Sequence, residues 1–448
     1  MDILSLLPGF GNSILVIVAF VVALSVIVAI HEYGHYIVGR WSGIHADVFS
    51  LGFGPVIWSR YDKRGTKWQL AAIPLGGYVK FKGDANAASG KDGEVMETMP
   101  EDELRSTMHG APLWARTATV AAGPLFNFAL SIIVFAVVLM ANGRVGDTLI
   151  VGELRDLPNV EYSLLEGDKV LAIDGKSVPS LEDGAAYSAF WENMTKENPL
   201  PYQVDRDGEV IDVTGPYLNP PIVLSLAPRS AAINAGLEVG DVFTAIDGEP
   251  IVAFSQLKEA VETGDGKTLA LTVNRGGEVQ EFDLTPRRVD EPQDGGGFVT
   301  NWRIGIGGGL AFEPATEALG PGPAIASGVR QTGRIIEGSI SGLYHMVTGA
   351  ISSCNLSGPV GIAQTSGAMA SQGIESFIWF IAVLSTAIGL LNLFPIPVLD
   401  GGHLVFYAYE AVTGRTPSDR VLRVLMTMGL AVILSLMAFG LTNDLFCP

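Results

Sequence analysis

The chain has 448 residues, of which 48% are hydrophobic and 17% charged, and its mean hydropathy is +0.35. These values exclude a single water-soluble globular domain and indicate an integral membrane protein with sizeable soluble parts. The formal net charge of −19 argues against nucleic acid as a partner, because phosphate-binding surfaces are basic. The acidic excess falls mainly between Gly143 and Arg303, so this stretch is predicted to be a soluble insert.

The first predicted element is a membrane-spanning helix from about Gly11 to Trp41. Residues 14–30 within it carry no charge. Asp2 is the only charged residue before this run, and no small-x-small cleavage site follows it. We therefore expect a retained anchor rather than a cleaved signal peptide.

The apolar run leads into an H-E-x-x-H motif at residues 31–35. On a helix, His31 and His35 lie one turn apart on the same face, so both imidazoles can hold one Zn²⁺. Glu32 can then reach the water that such an ion activates. Because ionisable groups in hydrocarbon are costly, a functional site is expected; a helix end at the interface is the alternative. A helix rises about 28 Å from Asn12 to His31, which places the site toward the cytosolic side of the membrane core.

Three further segments are apolar enough to span a bilayer, at residues 113–141, 374–395 and 421–441. Basic residues concentrate in the loop between the first two spans and in the short loop between the last two. The positive-inside rule therefore predicts that both termini, and residues 142 to about 370, are extracytoplasmic. The basic residues concerned are Arg40, Arg60, Lys63, Arg64, Lys67, Lys80, Lys82, Lys91, Arg105, Arg415, Arg420 and Arg423.

The insert contains an internal duplication, in which residues 165–175 parallel residues 237–248. In each copy a Gly-Asp turn precedes an apolar strand that closes in Asp-Gly, which predicts a β-hairpin. The second copy, with its Ala-Gly-Leu-x-x-Gly-Asp sequence from Ala235 to Asp241, resembles a PDZ domain of the bacterial protease type. The first copy lacks Ala-Gly-Leu, so the expectation of a peptide groove rests on the second. A generic pair of hairpins is the alternative.

Residues 289–320 are rich in glycine, proline and acidic side chains and are predicted to be a linker. Beyond them, apolar residues at helical spacing from Ile325 to Ile351 predict an amphipathic helix. Its apolar face is expected to lie either on the outer leaflet or against the soluble domains. Cys354 and Cys447 are far apart and lack metal-type spacing, so they support neither a disulfide framework nor a Cys-ligated zinc site.

A catalytic zinc ion needs a third protein ligand, and the best candidate follows the third span. Pro395 and Pro397 break the helix there, which is tolerated at membrane depth only beside a cavity or inside protein. Asp400 follows the break closely, so its carboxylate can turn toward the metal, and Gly401-Gly402 permit a tight turn. An Asp-Gly turn at the membrane surface is the alternative.

Taken together, these motifs resemble the bacterial site-2 protease family of intramembrane zinc metalloproteases, and the resemblance covers most of the chain. The matched parts are the H-E-x-x-H motif, the stretch from Asn392 to Gly401, the PDZ-like pair and the four spans. The resemblance implies that His31, His35 and Asp400 are zinc ligands and that Glu32 is the general base. It also implies that Asn392 holds the substrate backbone near the metal.

Two further stretches, residues 51–55 and 73–80, also match the family. The family folds this region as a β-sheet that dips into the membrane beside the active site, and Gly52, Phe53 and Gly54 are implied to bind substrate. A substrate helix must unwind before cleavage, and an exposed strand edge can pair with the unwound segment.

At three other positions the sequence does not decide the role. Asn127, in a Gly-Pro-Leu-Phe-Asn-Phe stretch on the second span, is predicted to hydrogen-bond either a neighbouring span or the substrate. For His403 a structural role, or one beside the ligands, is favoured over ligation. Residues 357–361 match another family motif without a role that the sequence explains.

The expected reaction is metalloprotease hydrolysis: zinc polarises the scissile carbonyl and lowers the pKa of its water, and Glu32 takes the proton and returns it to the leaving amine. Expected substrates are single-pass membrane proteins already trimmed outside the cytosol; by resemblance these are anti-sigma factors and leftover signal peptides. The PDZ-like modules are expected either to exclude bulky ectodomains or to read new peptide C-termini, the latter at the second module. Membrane lipid is the other expected partner, in the bacterial inner membrane with the modules in the periplasm.

The expected fold is a polytopic α-helical membrane protein with four transmembrane helices, a membrane-associated β-sheet and two extracytoplasmic PDZ-like α+β domains. Two rival functions remain: a catalytically silent zinc-binding PDZ scaffold, which has no use for Glu32, and a zinc transporter, which needs more polar residues in its spans. The predicted divisions are residues 1–41, 42–112, 113–141, 142–218, 221–288, 289–373, 374–402 and 403–448.

Overall fold

The computed structural model describes residues 8–85, 96–97, 99–158, 162–181, 183–293 and 297–447. The predicted membrane topology also concerns residues 1–7 and Lys91, and these lie outside the described part of the chain. The chain divides into a helical unit, residues 1–138 with 322–448, and an insert unit, residues 139–321.

The helices follow one another along both units, with the strands between them. The helices are α1 (Pro8–Trp41), α2 (Glu101–Leu104), α3 (Leu113–Asn142), α4 (Gly184–Glu192), α5 (Ala231–Ala235), α6 (Phe254–Thr263), α7 (Pro321–Val347), α8 (Pro359–Ser371), α9 (Ile374–Asn392), α10 (Asp400–Thr413) and α11 (Asp419–Phe446). The strands are β1 (Ala46–Tyr61), β2 (Lys67–Phe81), β3 (Arg144–Val145), β4 (Val151–Leu154), β5 (Lys169–Ile173), β6 (Lys176–Ser177), β7 (Leu200–Arg206), β8 (Glu209–Gly215), β9 (Ser225–Leu226), β10 (Val242–Ile246), β11 (Glu249–Pro250), β12 (Leu269–Arg275), β13 (Glu278–Leu284), β14 (Arg287–Pro292), β15 (Phe298–Arg303), β16 (Ile306–Gly307), β17 (Phe312–Pro314) and β18 (Thr316–Glu317).

Among the described residues, four helices are long and apolar enough to cross a membrane, namely α1, α3, α9 and α11. Large apolar side chains on their outer surfaces are exposed, with Ile17 at 61%, Val137 at 52% and Met428 at 58%. Such exposure suits helices that face lipid rather than water. The four predicted spans therefore correspond to four candidate membrane helices.

The break after the third span is longer than the sequence indicated. α9 ends at Asn392, and Pro395 and Pro397 lie in the irregular segment before α10. Residues 400–413 then form a separate helix, which the predicted divisions split between the third and fourth spans. A further helix that was not predicted, α8, precedes α9.

β1 and β2 form a long antiparallel hairpin that bends back on itself, in the region where a sheet was predicted. Residues 48–51 pair with residues 77–80 and also with residues 67–70. The bend in β1 falls at Gly52, where φ is 89° and a Cβ would lie 2.8 Å from the carbonyl oxygen of Ile73. Only glycine accommodates both the dihedral angle and this close approach.

The hairpin packs on the helix that carries the H-E-x-x-H motif. Phe49, Val79 and Phe81 are buried together with Tyr36 of α1 and Ala115 of α3. Burial of these apolar side chains fixes β2 beside α1.

The amphipathic helix predicted at residues 325–351 is α7. Its buried residues are Ala324, Gly328 and Thr332. A Cβ at Gly328 would lie 2.6 Å from the carbonyl oxygen of Ile132 in α3. The first turns of α7 therefore pack on a membrane helix, a placement that the two predicted alternatives did not include.

In the insert unit, two four-stranded antiparallel sheets share one strand order, β6-β5-β7-β8 and β11-β10-β12-β13. In each, the aspartate of the Gly-Asp turn is buried against an arginine: Asp168 lies 2.7 Å from Arg206, and Asp241 lies 2.7 Å from Arg275. The duplicated sequence thus forms a duplicated fold with the predicted hairpins. α5 has no counterpart in the described residues of the first copy.

The prediction of a linker at residues 289–320 was wrong. This segment contains strands β15 to β18 and most of β14. Ile304 is buried in the core of the second copy, and Phe312 in the core of the first, where β17 pairs with β4. A composition rich in glycine and proline concealed short strands that each bury very few apolar side chains.

Cys354 and Cys447 form a disulfide across 93 residues, although the sequence indicated no such pair. It joins the end of α11 to the segment before α8, where the side-chain amide of Asn443 donates to the carbonyl of Ser353 at 2.8 Å. Spacing could not reveal the pair, because the two cysteines meet only through the packing of helices distant in sequence.

The motif at residues 357–361 forms the start of α8. The backbone amides of Gly358 and Gly361 donate to the carboxylate of Asp444 at 3.0 and 2.9 Å. An aspartate at a helix N-terminus satisfies free amides and the helix dipole. The motif therefore binds α8 to α11.

Candidate metal centre

Two histidines and one aspartate converge inside the helical unit. His31 and His35 lie one turn apart on α1, with their Nε2 atoms 3.2 Å apart. Oδ2 of Asp400, at the start of α10, lies 3.2 Å from Nε2 of His31 and 3.5 Å from Nε2 of His35. Among the described residues, this trio is the group that could hold a metal ion. The structure thus brings together the three ligands that the sequence predicted.

The spacing of these atoms fits Zn²⁺. Ligands about 2.0–2.1 Å from a tetrahedral ion are about 3.3 Å from one another. The three observed separations, 3.2, 3.2 and 3.5 Å, match this value. Within the described chain, the buried Oδ2 of Asp400 has no hydrogen-bond donor, and a bound cation would compensate its charge.

The orientation of His35 also suits a ligand. Its Nδ1 lies 2.8 Å from the backbone carbonyl oxygen of Thr119 in α3. Because a carbonyl oxygen only accepts, Nδ1 carries the hydrogen and Nε2 keeps its lone pair for a metal.

α1 and α3 approach each other closely enough to form this site because glycines lie between them. A Cβ at Gly34 would fall 2.6 Å from the carbonyl oxygen of Ala122. Gly123, next along α3, faces the two imidazole rings. The motif at residues 123–128 thus includes a glycine whose missing side chain leaves room for the ligands.

Asp400 is positioned by the break between α9 and α10. A Cβ at Gly401 would lie 2.3 Å from the carbonyl oxygen of Leu393, and one at Gly402 would lie 2.3 Å from that of Ile396. Neither glycine has a positive φ. The sequence correctly singled out this pair, but the physical reason is close backbone packing rather than a special turn conformation.

An ion pair holds α10 against α3. The guanidinium of Arg116 donates to both carboxylate oxygens of Glu410, at 2.7 and 3.0 Å, and lies over the ring of Tyr407. Both charged side chains are largely buried, which makes a bidentate pair of this kind specific in geometry. No sequence pattern indicates that these residues meet.

Glu32 follows the first ligand on α1 and faces the hairpin. A Cβ at Gly77 of β2 would lie 3.2 Å from Cγ of Glu32, so the strand covers this side chain closely. Glu32 is half-buried beside the trio, and its role as general base stays a prediction.

The predicted substrate-binding residues lie outside the ligand trio. Asn392, at the end of α9, donates to the carbonyl of Ile388 at 3.1 Å. Gly52 lies at the bend of β1 and Gly54 follows two residues later, and Phe53 between them is 41% exposed. Their role in binding substrate stays a prediction.

His403 lies one turn beyond Asp400 and packs edge-on against Phe406. It is not part of the metal-holding group. Asn127, in contrast, is fully buried with its side-chain amide 3.2 Å from Nδ1 of His31. Of the two predicted partners, it therefore contacts a neighbouring span.

Comparison with known proteins decides the family. The sequence pattern of peptidase family M50 matches residues 19–436. The chain belongs to this family. A protein of Agrobacterium fabrum named as a zinc metalloprotease is 37% identical, over 96% of this chain and 95% of the relative. The regulator of sigma-E protease RseP of Salmonella typhimurium is 31% identical, over 95% of this chain and 97% of that protein.

Among solved structures, the PDZ domain of HtrA3 bound to a phage-derived ligand is 35% identical over 15% of this chain and 62% of that chain. Its TM-score of 0.14 is too low to bear on the fold. Membership of peptidase family M50 confirms the expected resemblance: the chain is a zinc metalloprotease of the site-2 type. A silent scaffold and a zinc transporter are accordingly not supported.

Proposed function

We propose that this M50 peptidase hydrolyses peptide bonds within the transmembrane segments of single-pass membrane proteins. In this proposal His31, His35 and Asp400 hold the zinc ion and Glu32 is the general base. The observation that supports it most is the convergence of three ligand atoms within 3.5 Å on helices that include an apolar span.

When bound, zinc supplies a Lewis acid for the scissile carbonyl and acidifies a water molecule. The Glu32 carboxylate would accept a proton from the attacking water as it adds to the scissile carbonyl, and would return that proton to the amine nitrogen as the C–N bond breaks. The half-buried setting under β2 limits the competition of bulk water for its carboxylate. His31 and His35 act as neutral ligands, so activity falls in acid.

The bent hairpin is the proposed platform for the unwound substrate. A peptide inside a membrane must satisfy its backbone groups, and pairing with a strand does so. Gly52, Phe53 and Gly54 lie at the bend, and the exposed ring of Phe53 offers an apolar contact. Asn392 is proposed to hold the substrate backbone by its side-chain amide.

We further propose that the protein lies in the bacterial inner membrane, with both termini outside the cytosol and the insert unit in the periplasm. The disulfide supports this placement, because it lies at the C-terminal end of α11, and disulfides persist in oxidising compartments.

The proposed substrates are membrane-protein remnants already trimmed in the periplasm, including anti-sigma factors and signal peptides. The PDZ-like copies are proposed to exclude bulky ectodomains or to read new C-termini.

Cleavage of a model transmembrane segment by the detergent-purified protein tests the reaction. Glu32→Gln should abolish cleavage while the zinc content is unchanged, because the base is lost and the ligands remain. Asp400→Asn should weaken zinc binding, and a zinc chelator should stop the wild-type enzyme. Full activity of either variant would refute the role assigned to that residue.

A deletion tests the proposed exclusion of bulky substrates. Because Ile304 belongs to the core of the second copy, residues 221–308 should be replaced together by a short linker. The flanking Leu218 and Ala311 are hydrogen-bonded at 2.9 Å, so a short linker spans the gap. Cleavage of untrimmed substrates is the expected result, and unchanged selectivity would remove this part of the proposal.

A further inference from the structure

Asn127 of α3 lies behind the first metal-binding imidazole. Its side chain is fully buried, and its Nδ2 lies 3.2 Å from Nδ1 of His31. Its Oδ1 is buried without a hydrogen-bond partner among the described residues. If Nε2 of His31 binds a metal, an amide NH₂ group directed at Nδ1 is the wrong hydrogen-bond partner for that ring.

Nε2 of His31 faces Nε2 of His35 and Oδ2 of Asp400. A ring nitrogen that binds a metal carries no hydrogen, so the hydrogen of a neutral His31 must lie on Nδ1. An N–H group cannot accept from the NH₂ of an amide. The oxygen and nitrogen of an asparagine amide are nearly interchangeable in shape, and their assignment follows from the hydrogen-bond partners.

We propose that Asn127 turns its Oδ1, not its Nδ2, to His31, where it accepts the Nδ1 hydrogen and so fixes the ring as a metal ligand. This inference rests on the ligand set of the proposed function. As placed, Oδ1 has no partner in the described chain and Nδ2 faces a ring nitrogen that must carry a hydrogen, so the bond to His31 decides the orientation. Asn127 is a positioning residue in this arrangement and does not touch the metal.

His35 shows the same arrangement with a different acceptor. The backbone carbonyl of Thr119, two turns earlier on α3, receives its Nδ1 hydrogen at 2.8 Å. In this arrangement α3 provides one hydrogen-bond acceptor for the Nδ1 hydrogen of each imidazole. Carbonyl and carboxylate acceptors in such positions fix the tautomer and orientation of metal-binding histidines.

Asn127 is itself held firmly in place. Its backbone carbonyl accepts hydrogen bonds from Ser131 at 3.0 Å and from Ser385 of α9 at 2.9 Å. A Cβ at Gly389 would lie 3.1 Å from Cβ of Asn127, so α9 closes over the side chain. These contacts leave the amide little freedom other than the exchange of its two terminal atoms.

Zinc affinity measured by chelator competition on the purified full chain in micelles tests the inference. Asn127→Leu removes the acceptor and should weaken zinc binding by about 10–100-fold. Asn127→Asp presents only acceptors and should bind zinc at least as tightly as wild type. Ser366→Ala, a buried polar change on α8, should leave the affinity unchanged because Ser366 donates to the backbone carbonyl of Ile362 in its own helix.

Asn127→Asp decides the question even if the leucine variant fails to fold. If Asn127→Asp binds zinc 10-fold or more weakly than wild type, the amide must donate and the inference is wrong. Wild-type affinity in the folded leucine variant would also overturn it. Cobalt-substituted Asn127→Asp should keep the wild-type absorption spectrum, and a changed spectrum would mean direct ligation, which contradicts a positioning role.

His31→Ala separates this inference from the proposed function. Loss of zinc in His31→Ala, together with wild-type affinity in folded Asn127→Leu, would overturn the Asn127 inference alone. Wild-type zinc affinity in His31→Ala would overturn the ligand set itself.

Discussion

Gly123 of α3 lies directly against His35 of α1: a Cβ at position 123 would fall 2.3 Å from Nε2 of that ring. The same Cβ would fall 2.8 Å from Cε1 of His31. The imidazoles therefore occupy the space that any other residue at position 123 would fill. A helix that contributes none of the three proposed ligands thus determines whether they can converge.

Gly123→Ala should displace the imidazoles and weaken zinc binding, because overpacking at a close contact costs about 1–3 kcal/mol. Zinc stoichiometry after dialysis, with the cleavage rate, measures the effect. The matched control is Gly338→Ala in α7, where a Cβ meets no atom within 4 Å. Equal zinc content in the two variants would show that the contact at Gly123 does not matter.

The Arg116–Glu410 pair should stabilise the helical unit and hold α10 in place. Glu410→Gln leaves a largely buried guanidinium without its charge partner, a change that costs about 3–5 kcal/mol in buried pairs. We expect a lower unfolding temperature in micelles and weaker zinc binding, because α10 begins with Asp400. Glu337→Gln at an exposed position of α7 is the control, and the same unfolding temperature in both variants would contradict the prediction.

How much the sequence could predict depends on how local each signal is. His31, Glu32 and His35 lie within one helical turn, so periodicity alone placed them together. Asp400 was found because two prolines mark a helix break. The contact between Gly123 and the imidazoles, in contrast, joins two different helices, and the residue pattern within either helix does not predict it.

The insert shows a similar limit. Repeated Gly-Asp and Asp-Gly turns revealed the duplicated hairpins, because turn chemistry is local. β17 was hidden, because Phe312 is buried only through pairing with β4, far earlier in the chain. The orientation of the Asn127 amide likewise depends on the tautomer of a ring on another helix.

The Asp168–Arg206 pair predicts acid sensitivity of the first sheet. Hydrogen bonds from Arg206 hold the pKa of Asp168 below its ordinary value. Stability from a depressed pKa is fully present above the unfolded value, about 3.9, and is lost as pH falls through the lower folded value. The protection of the β5 and β7 amides, which is the intrinsic exchange rate divided by the observed rate, should therefore fall below about pH 4.

Asp168→Asn should show lower protection already at pH 6 and a flatter dependence of protection on pH, since the charge is gone. Asp212→Asn, at an exposed position of β8, is the control. A wild-type pH profile in Asp168→Asn would disprove the assignment.

The Cys354–Cys447 disulfide makes a prediction about location. If the end of α11 is periplasmic, the two thiols should resist alkylation in intact cells and become reactive in cells unable to form periplasmic disulfides. Reduction should also lower the unfolding temperature of the wild type but not of a double serine variant, since a cross-link stabilises by about 2–4 kcal/mol. Thiols that are free in normally oxidising cells would place this end of the chain in the cytosol.

The position of bound zinc tests the proposed metal centre most directly. Crystals of the purified protein, with diffraction data collected on both sides of the zinc absorption edge, show where zinc scatters. The proposed ligand set predicts one anomalous peak, about 2.0–2.2 Å from Nε2 of His31, Nε2 of His35 and a carboxylate oxygen of Asp400. A zinc peak bound by other residues, with the Asp400 carboxylate turned away from both imidazoles, would contradict it.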